Sequence, residues 1–93
     1  MQRQCLTASI AKNDRGLNTA YARLVAALRR QEDDGGIEAL SAEQQKWSDQ
    51  RDATCRDIGE APLYAKSRAA CYAQKAADRA RELKARLDSI PPG

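Results

Sequence analysis

Residues that end helices cluster at two internal points of this 93-residue chain. The first point is "QEDDGG", residues 31–36, where Gly35 and Gly36 can adopt the positive φ angles of a tight turn. The second is "IGEAP", residues 58–62, where Pro62 suits the first position of a new helix. The whole chain contains eighteen alanines, and alanine has the highest helix propensity of all residues. These two breaks therefore divide the chain into three helical segments.

Apolar side chains recur every three or four residues in each segment, as on one face of an amphipathic helix. The stripes contain Leu6, Ile10, Leu17, Tyr21, Leu24 and Leu28, then Ile37, Leu40, Trp47 and Ile58, then Ala69, Ala73, Ala76, Ala80, Leu83 and Leu87. We expect one domain over residues 1–93, with helices at about 5–32, 38–58 and 62–88 and a tail at 89–93. Ser41 and Gln44 form a capping-box pattern, so the second helix starts either there or in an earlier turn. Because short connections make neighbouring helices antiparallel, the predicted fold is an all-α, up-down-up three-helix bundle.

A charged residue interrupts the apolar stripe of the second helix. In "QQKWSDQRDATC", residues 44–55, Trp47, Arg51 and Cys55 are four residues apart and share one helix face. Counted from the first turn, Tyr21 lies near the level of Trp47 and Asn18 near that of Arg51. A buried guanidinium is costly without an acceptor, and the nearest candidates are Asn18 and Asp14, which interrupt the apolar stripe of the first helix. The sequence therefore predicts a structural polar node made of Asp14, Asn18, Tyr21, Trp47 and Arg51. A ligand-binding role for Trp47 and Arg51 is the alternative.

The three cysteines have unequal prospects of pairing. Cys55 and Cys71 lie at similar distances from the second turn, so we expect a disulfide that staples the second helix to the third. Cys5 lies about ten residues, or roughly 15 Å, further along the bundle. We expect Cys5 to be free, to join another molecule in a disulfide-linked dimer, or to pair with a cysteine upstream of this chain.

Charge is segregated along the sequence. Residues 1–30 carry a net charge of +5, residues 31–60 carry −6 and residues 61–93 carry +4, which gives the total of +3. Weak attraction between an acidic helix and two basic neighbours explains this pattern and favours the antiparallel arrangement. A basic surface for nucleic acid or anionic lipid is less favoured, since few aromatic side chains lie among the basic ones.

The residue types needed for most catalytic chemistry are missing. The chain has no histidine, which leaves no Ser-His or Cys-His pair and no typical zinc site. The cysteine spacing fits no redox or metal motif, and "EDDGG" lacks the ligand spacing of a calcium loop. We therefore expect no enzyme activity, no metal and no cofactor. No run of apolar residues is long enough to predict a membrane span.

Three spaced motifs resemble those of the LprI-type lysozyme inhibitor family. They are D-x-x-LN-x-x-Y-x-x-L from Asp14 to Leu24, Q-x-x-W-x-x-x-RD-x-x-C from Gln44 to Cys55, and C-x7-R-x3-L from Cys71 to Leu83. The resemblance spans about residues 5–87. It implies a small, secreted or periplasmic helical domain of bacteria that binds a protein, with a peptidoglycan-degrading lysozyme as the candidate partner. The alternative is a non-inhibitory structural, interaction or toxin-immunity domain with another protein partner.

Two expectations about location and contact follow from this resemblance. The start "MQRQC" has no apolar h-region, so we interpret the chain as a mature secreted or periplasmic segment whose leader has been removed. If Met1 is the native start, the cytoplasm and reduced thiols are the alternative. Because many lysozymes are strongly basic, the candidate partner-binding residues are the acidic ones at the first turn, namely Glu32, Asp33, Asp34 and Glu38.

Overall fold

The computed structural model describes residues 2–92, with side chains described from residue 10 onward. Three long helices account for most of this range: α1 (Gln2–Arg30), α2 (Asp34–Arg56) and α3 (Ala65–Asp88). A single 3₁₀ turn, Pro62–Tyr64, precedes α3. The described residues contain no β-strand, so the prediction of an all-α chain with three helices is confirmed.

Cross-helix contacts define how the helices run. The ion pair between Arg51 and Asp14 joins α2 to α1. Between α2 and α3, Cys55 bonds to Cys71, whereas Glu43, further back along α2, pairs with Arg86, further along α3. Between α2 and α3, partner numbers thus fall on one helix as they rise on the other, which is the pattern of antiparallel neighbours. The molecule measures 49 × 22 × 15 Å.

The turn between α1 and α2 lies earlier in the sequence than Gly35 and Gly36, where it was predicted. Gly35 and Gly36 belong to the first turn of α2, and the residue with a positive φ is Glu32, at 55°. Asp33 caps α2, because its side chain accepts a hydrogen bond of 2.9 Å from the Gly36 nitrogen. A Cβ added at Gly36 would lie 2.4 Å from the Asp33 carboxylate. The glycine at 36 therefore makes room for a helix cap, and the prediction that the glycine pair forms the turn was wrong.

The second connection does use a glycine. After α2 ends at Arg56, Gly59 adopts a φ of +122°, a conformation that favours glycine. Pro62 opens the 3₁₀ turn, so α3 itself begins three residues later than the proline suggested. The Arg68 guanidinium donates hydrogen bonds to the carbonyl oxygens of Gly59 and Ala61, the latter at 2.9 Å, which ties the connection to α3.

Small side chains set the spacing of the core. The buried residues are Leu17, Ala20, Leu24, Ala27, Leu40, Cys55, Ala69, Ala76 and Leu83, with Arg79 as the buried charged residue. α1 and α3 are the most closely packed helix pair, as their facing alanines allow. Tyr21 and Trp47 pack against the edge of this core. Few large apolar side chains are buried, so polar contacts and the disulfide matter more than in a larger domain.

Candidate functional site

Arg51 lies between two aromatic rings and a carboxylate. Its side chain is only 15% exposed, and its Nη1 atom donates to Oδ1 of Asp14 at 2.8 Å. The guanidinium carbon lies 4.8 Å from the ring centre of Trp47 and 5.5 Å from that of Tyr72. Both rings thus contribute cation–π attraction to a charge already neutralised by Asp14. This arrangement joins all three helices at one level of the bundle.

The two rings belong to different helices, and different features of the sequence position them beside Arg51. Trp47 is one helical turn before Arg51 on α2, as its spacing in the sequence predicts. Tyr72 directly follows Cys71, so the disulfide to Cys55 helps to bring its ring to α2. The Tyr72 hydroxyl donates to Oδ1 of Asp52 at 2.7 Å. This hydrogen bond, followed by burial, raises the pKa of Tyr72 above its ordinary value of 10.0.

The residues of the predicted polar node line one groove between α1 and α2. This groove has a volume of about 380 Å³, and Asp14, Asn18, Tyr21, Trp47 and Arg51 contribute to its wall. Asp14 accepts the hydrogen bond from Arg51, whereas Asn18 is exposed at the groove surface. Within the described part of the chain, the Nε atom of Arg51 is buried and has no hydrogen-bond partner. Geometry thus brings the five residues together along one groove, with Asp14 and Trp47 in contact with the Arg51 cation.

A second buried cation lies nearer the other end of the bundle. Arg79 is 3% exposed and donates to Gln44, Glu43 and Glu82 at 3.0, 3.0 and 3.1 Å. Arg86 forms a bidentate pair with Glu43, with distances of 3.0 and 2.5 Å, and a further hydrogen bond to Glu82. The hydrogen bond from Arg86, helped by that from Arg79 and opposed by burial, lowers the pKa of the Glu43 carboxyl from 4.5 to about 2. This network fixes α3 against α2.

This second network and Tyr72 were not among the residues predicted from the sequence. A signal for Arg79 was available, since it lies three residues after Ala76 and four before Leu83, on the buried stripe of α3. Arg51 on α2 is identified by the same periodicity. Tyr72 could have been placed beside α2 once the Cys55–Cys71 pairing was assumed, because the disulfide sets the local register.

The acidic residues at the first turn form an exposed cluster. Glu32, Asp33, Asp34 and Glu38 are all exposed, as are Arg29 and Arg30 in the last turn of α1. Asp33 already accepts the capping hydrogen bond from Gly36, so only part of its hydrogen-bonding capacity remains for a partner. This end of the bundle therefore presents mixed charges with an acidic excess.

The predicted disulfide is present. Cys55 is bonded to Cys71, with their Cα atoms 5.6 Å apart, and the Cys55 side chain is fully buried. The side chain of Cys5 lies outside the described residues, so its pairing stays a prediction.

Both cation networks pair an arginine with at least one carboxylate. Each arginine is held by carboxylates, an amide or aromatic rings, and no thiol or imidazole lies among the partners of either one in the described residues. Over the same residues, no group of three His, Cys, Asp or Glu side chains is arranged to hold a metal ion. None of the described helices combines the length and apolar character needed to cross a bilayer. These networks position the three helices against one another.

Comparison with known proteins gives a family. No curated protein and no solved structure matches the chain. The sequence model of the family described as Lysozyme inhibitor LprI does match, over residues 1–83. This range covers α1, α2 and most of α3. It includes every residue of the two cation networks except Arg86. The protein therefore belongs to the LprI lysozyme inhibitor family.

Proposed function

We propose that this protein is a secreted or periplasmic, non-catalytic binding module that inhibits a peptidoglycan-degrading lysozyme. The observation that carries the proposal is the family match over residues 1–83, which spans nearly all of the bundle. The Cys55–Cys71 disulfide supports an oxidising compartment, because such bonds rarely persist in the cytosol.

Electrostatics favour the acidic residues around the start of α2 as the contact. The protein has a net charge of +3, so its overall charge does not attract a basic enzyme. Residues 31–60 carry −6, and the acidic turn, defined as Glu32, Asp33, Asp34 and Glu38, is fully on the surface. Such a patch accelerates association with a cationic partner. At about 0.1 M salt, the attraction between exposed charges is largely screened beyond about 10 Å.

The test is a turbidity assay of cell-wall lysis with a strongly basic lysozyme and a large excess of the oxidised protein. We expect inhibition at low salt that weakens as salt approaches physiological concentration. Full lysozyme activity under both conditions would defeat the inhibitor proposal for that enzyme. The protein would then be an interaction or toxin-immunity domain with another partner.

A charge-matched pair of variants locates the contact. Neutralising Glu32, Asp34 and Glu38 to Gln, Asn and Gln leaves the Asp33 cap intact and should weaken inhibition and its salt dependence. The control neutralises Asp49, Asp78 and Asp88 to Asn, which are exposed elsewhere on the bundle, and gives the same net charge. Equal effects of the two triple variants would show that only net charge matters and that the acidic turn is a solvated loop.

A further inference from the structure

The connection between α2 and α3 exposes an unusual run of apolar residues. Ala61, Pro62, Leu63 and Tyr64 are all exposed, and Leu63 and Tyr64 reach 82% and 43% exposure. Single apolar residues on a surface need no explanation, but several consecutive ones are disfavoured in a soluble domain unless they bind something. We call residues 57–64 the tip loop.

The tip loop is held in its exposed conformation. The Cys55–Cys71 disulfide closes the chain on both sides of it, and Arg68 donates hydrogen bonds to two of its carbonyl oxygens. Pro62 restricts the backbone of the 3₁₀ turn. The Tyr64 ring lies against Gly59, where an added Cβ would be 3.0 Å from a ring carbon. Because these contacts fix the loop in advance, a partner would lose little affinity to the ordering of the chain.

Charge around the tip loop indicates the kind of partner. Asp57 and Glu60 are exposed within the loop, whereas the Arg68 guanidinium is occupied by the loop carbonyls. Lys66 is an exposed cation on the following helix, and Arg56, directly before the loop, is exposed and paired with Asp52. The loop itself therefore carries a net charge of −2 beside its apolar residues. The acidic, apolar character of the loop's own residues suits a cationic protein surface with an apolar recess.

We propose that the tip loop is a second contact surface, which inserts Leu63 into an apolar recess of a cationic protein. The proposal rests on the proposed function in taking a basic lysozyme as that protein. The tip loop and the acidic turn lie at different ends of the bundle. The Gln31 side chain donates to the Pro91 carbonyl, so the acidic turn lies beside the end of α3, whereas the tip loop precedes its start. The 24 residues of α3 separate the two surfaces by about 36 Å.

The two surfaces are expected to affect different rate constants. Charges at the rim of an interface mainly change the association rate, whereas a desolvated apolar anchor mainly changes the dissociation rate. Variants of surfaces this far apart should also act independently. Kinetics can therefore assign a binding defect to one end of the bundle or the other.

The experiment measures association and dissociation of the oxidised protein on an immobilised, strongly basic lysozyme. The variant Leu63→Asp should dissociate at least about tenfold faster than the unmodified protein, because a buried apolar anchor is lost. Leu63→Met keeps an apolar side chain and should stay within a few-fold. Ala85→Asp adds the same charge at an exposed position of α3 and should change little. Since Leu63 is 82% exposed, thermal unfolding should show that Leu63→Asp folds as stably as the unmodified protein.

Each other outcome identifies which idea fails. If the unmodified protein binds and inhibits lysozyme while Leu63→Asp dissociates at the same rate, the tip-loop proposal is overturned and the proposed function stands. If the unmodified protein does not bind, the proposed function fails for that enzyme and the assigned partner of the tip loop fails with it. Binding to phosphatidylglycerol vesicles that Leu63→Asp abolishes would show that the loop contacts lipid instead.

Discussion

Two arginines, Arg51 partly buried and Arg79 fully buried, hold the helices of this small bundle together in different ways. Arg51 lies between the faces of Trp47 and Tyr72 with one carboxylate partner, whereas Arg79 is surrounded by oxygen acceptors from α2 and α3. Each charge costs free energy to bury and is tolerated because it is paired. Such pairs add little net stability compared with apolar residues, but they disfavour any register that leaves them unpaired. We infer that the two arginines help to select one arrangement of three alanine-rich helices.

Replacing Arg51 with Ala should lower the free energy of unfolding by about 2–4 kcal/mol. The change removes the ion pair to Asp14 and opens space between the two rings. Urea denaturation of the oxidised protein measures the loss. The matched control is Arg56→Ala, since Arg56 pairs with Asp52 while 68% exposed, and its loss should cost under about 0.5 kcal/mol. An Arg51→Ala loss as small as the control would show that Arg51 is free to bind a partner.

The free energy of unfolding should decrease at acidic pH because Glu43 becomes protonated. Its pKa is about 2 in the folded protein, below the ordinary 4.5, so the folded state binds the proton less readily than the unfolded state. The resulting stabilisation is complete above about pH 4.5 and is lost as pH falls towards 2. Because the Glu43 side chain is 41% exposed, solvent screening reduces the effect to about 1 kcal/mol.

The measurement compares the unmodified protein with Glu43→Gln by urea denaturation from pH 6 to pH 2. The stability difference between them should shrink across the lower half of this range. Glu38 is an exposed carboxylate on the same helix, so the variant Glu38→Gln serves as the control for the loss of one negative charge. A difference that stays constant from pH 6 to pH 2 would contradict the role assigned to the Arg79 and Arg86 hydrogen bonds.

At the scale of single elements, the start of α2 shows how one side chain positions a turn. Asp33 satisfies the Gly36 nitrogen, and its carboxylate occupies the space where a Cβ at position 36 would be. A Cβ at Gly35 would meet nothing within 4 Å. The two adjacent glycines therefore have different roles, although both are helical.

Alanine substitutions should separate these roles. Gly35→Ala should raise the free energy of unfolding by about 0.5–1 kcal/mol, because alanine loses less backbone entropy in a helix. Gly36→Ala displaces the Asp33 carboxylate, and the loss of the cap should cancel that gain or exceed it. We expect the two variants to differ by about 1 kcal/mol in chemical denaturation. Equal stabilisation by both substitutions would show that the Asp33 cap contributes nothing.

At the scale of the whole molecule, the disulfide compensates for a small core. The bundle buries few side chains larger than alanine, and the Cys55–Cys71 bond joins α2 to α3 beside the tip loop. A closed loop of this length is worth about 3 kcal/mol by the chain-entropy argument. The same bond keeps the tip loop in one conformation, so the disulfide couples stability to the proposed contact.

Replacing Cys55 and Cys71 together with Ala should lower the free energy of unfolding by about 3 kcal/mol. Cys5→Ser is the control, and it should change stability little, because the sequence predicts no bond between Cys5 and either of the other two cysteines. Peptide mass mapping of the oxidised protein should find Cys55 joined to Cys71. A Cys5 linkage to either residue within one chain would contradict the predicted positions along the bundle.

The sequence by itself determined the elements and the residues most constrained by local spacing. Two breaks in an alanine-rich chain fixed three helices, and equal distances from the second break indicated the Cys55–Cys71 pair. The stripe of α2 placed Arg51 among apolar neighbours, with Asp14 as one of two candidate acceptors. All of these are consequences of helical periodicity or of counting residues from a turn, and both can be obtained from one chain without coordinates.

Only the tertiary structure decided which side chains meet across helices. It selected Asp14 over Asn18 as the acceptor for Arg51, added Tyr72 as the second ring, and formed the Arg79–Glu43 network. Such contacts depend on the rotation and offset of each helix against its neighbours. A shift of one residue turns a side chain by about 100° and moves it 1.5 Å along the axis, which is enough to exchange one partner for another. Periodicity in the sequence identifies a buried face, but packing of the three helices decides what that face contacts.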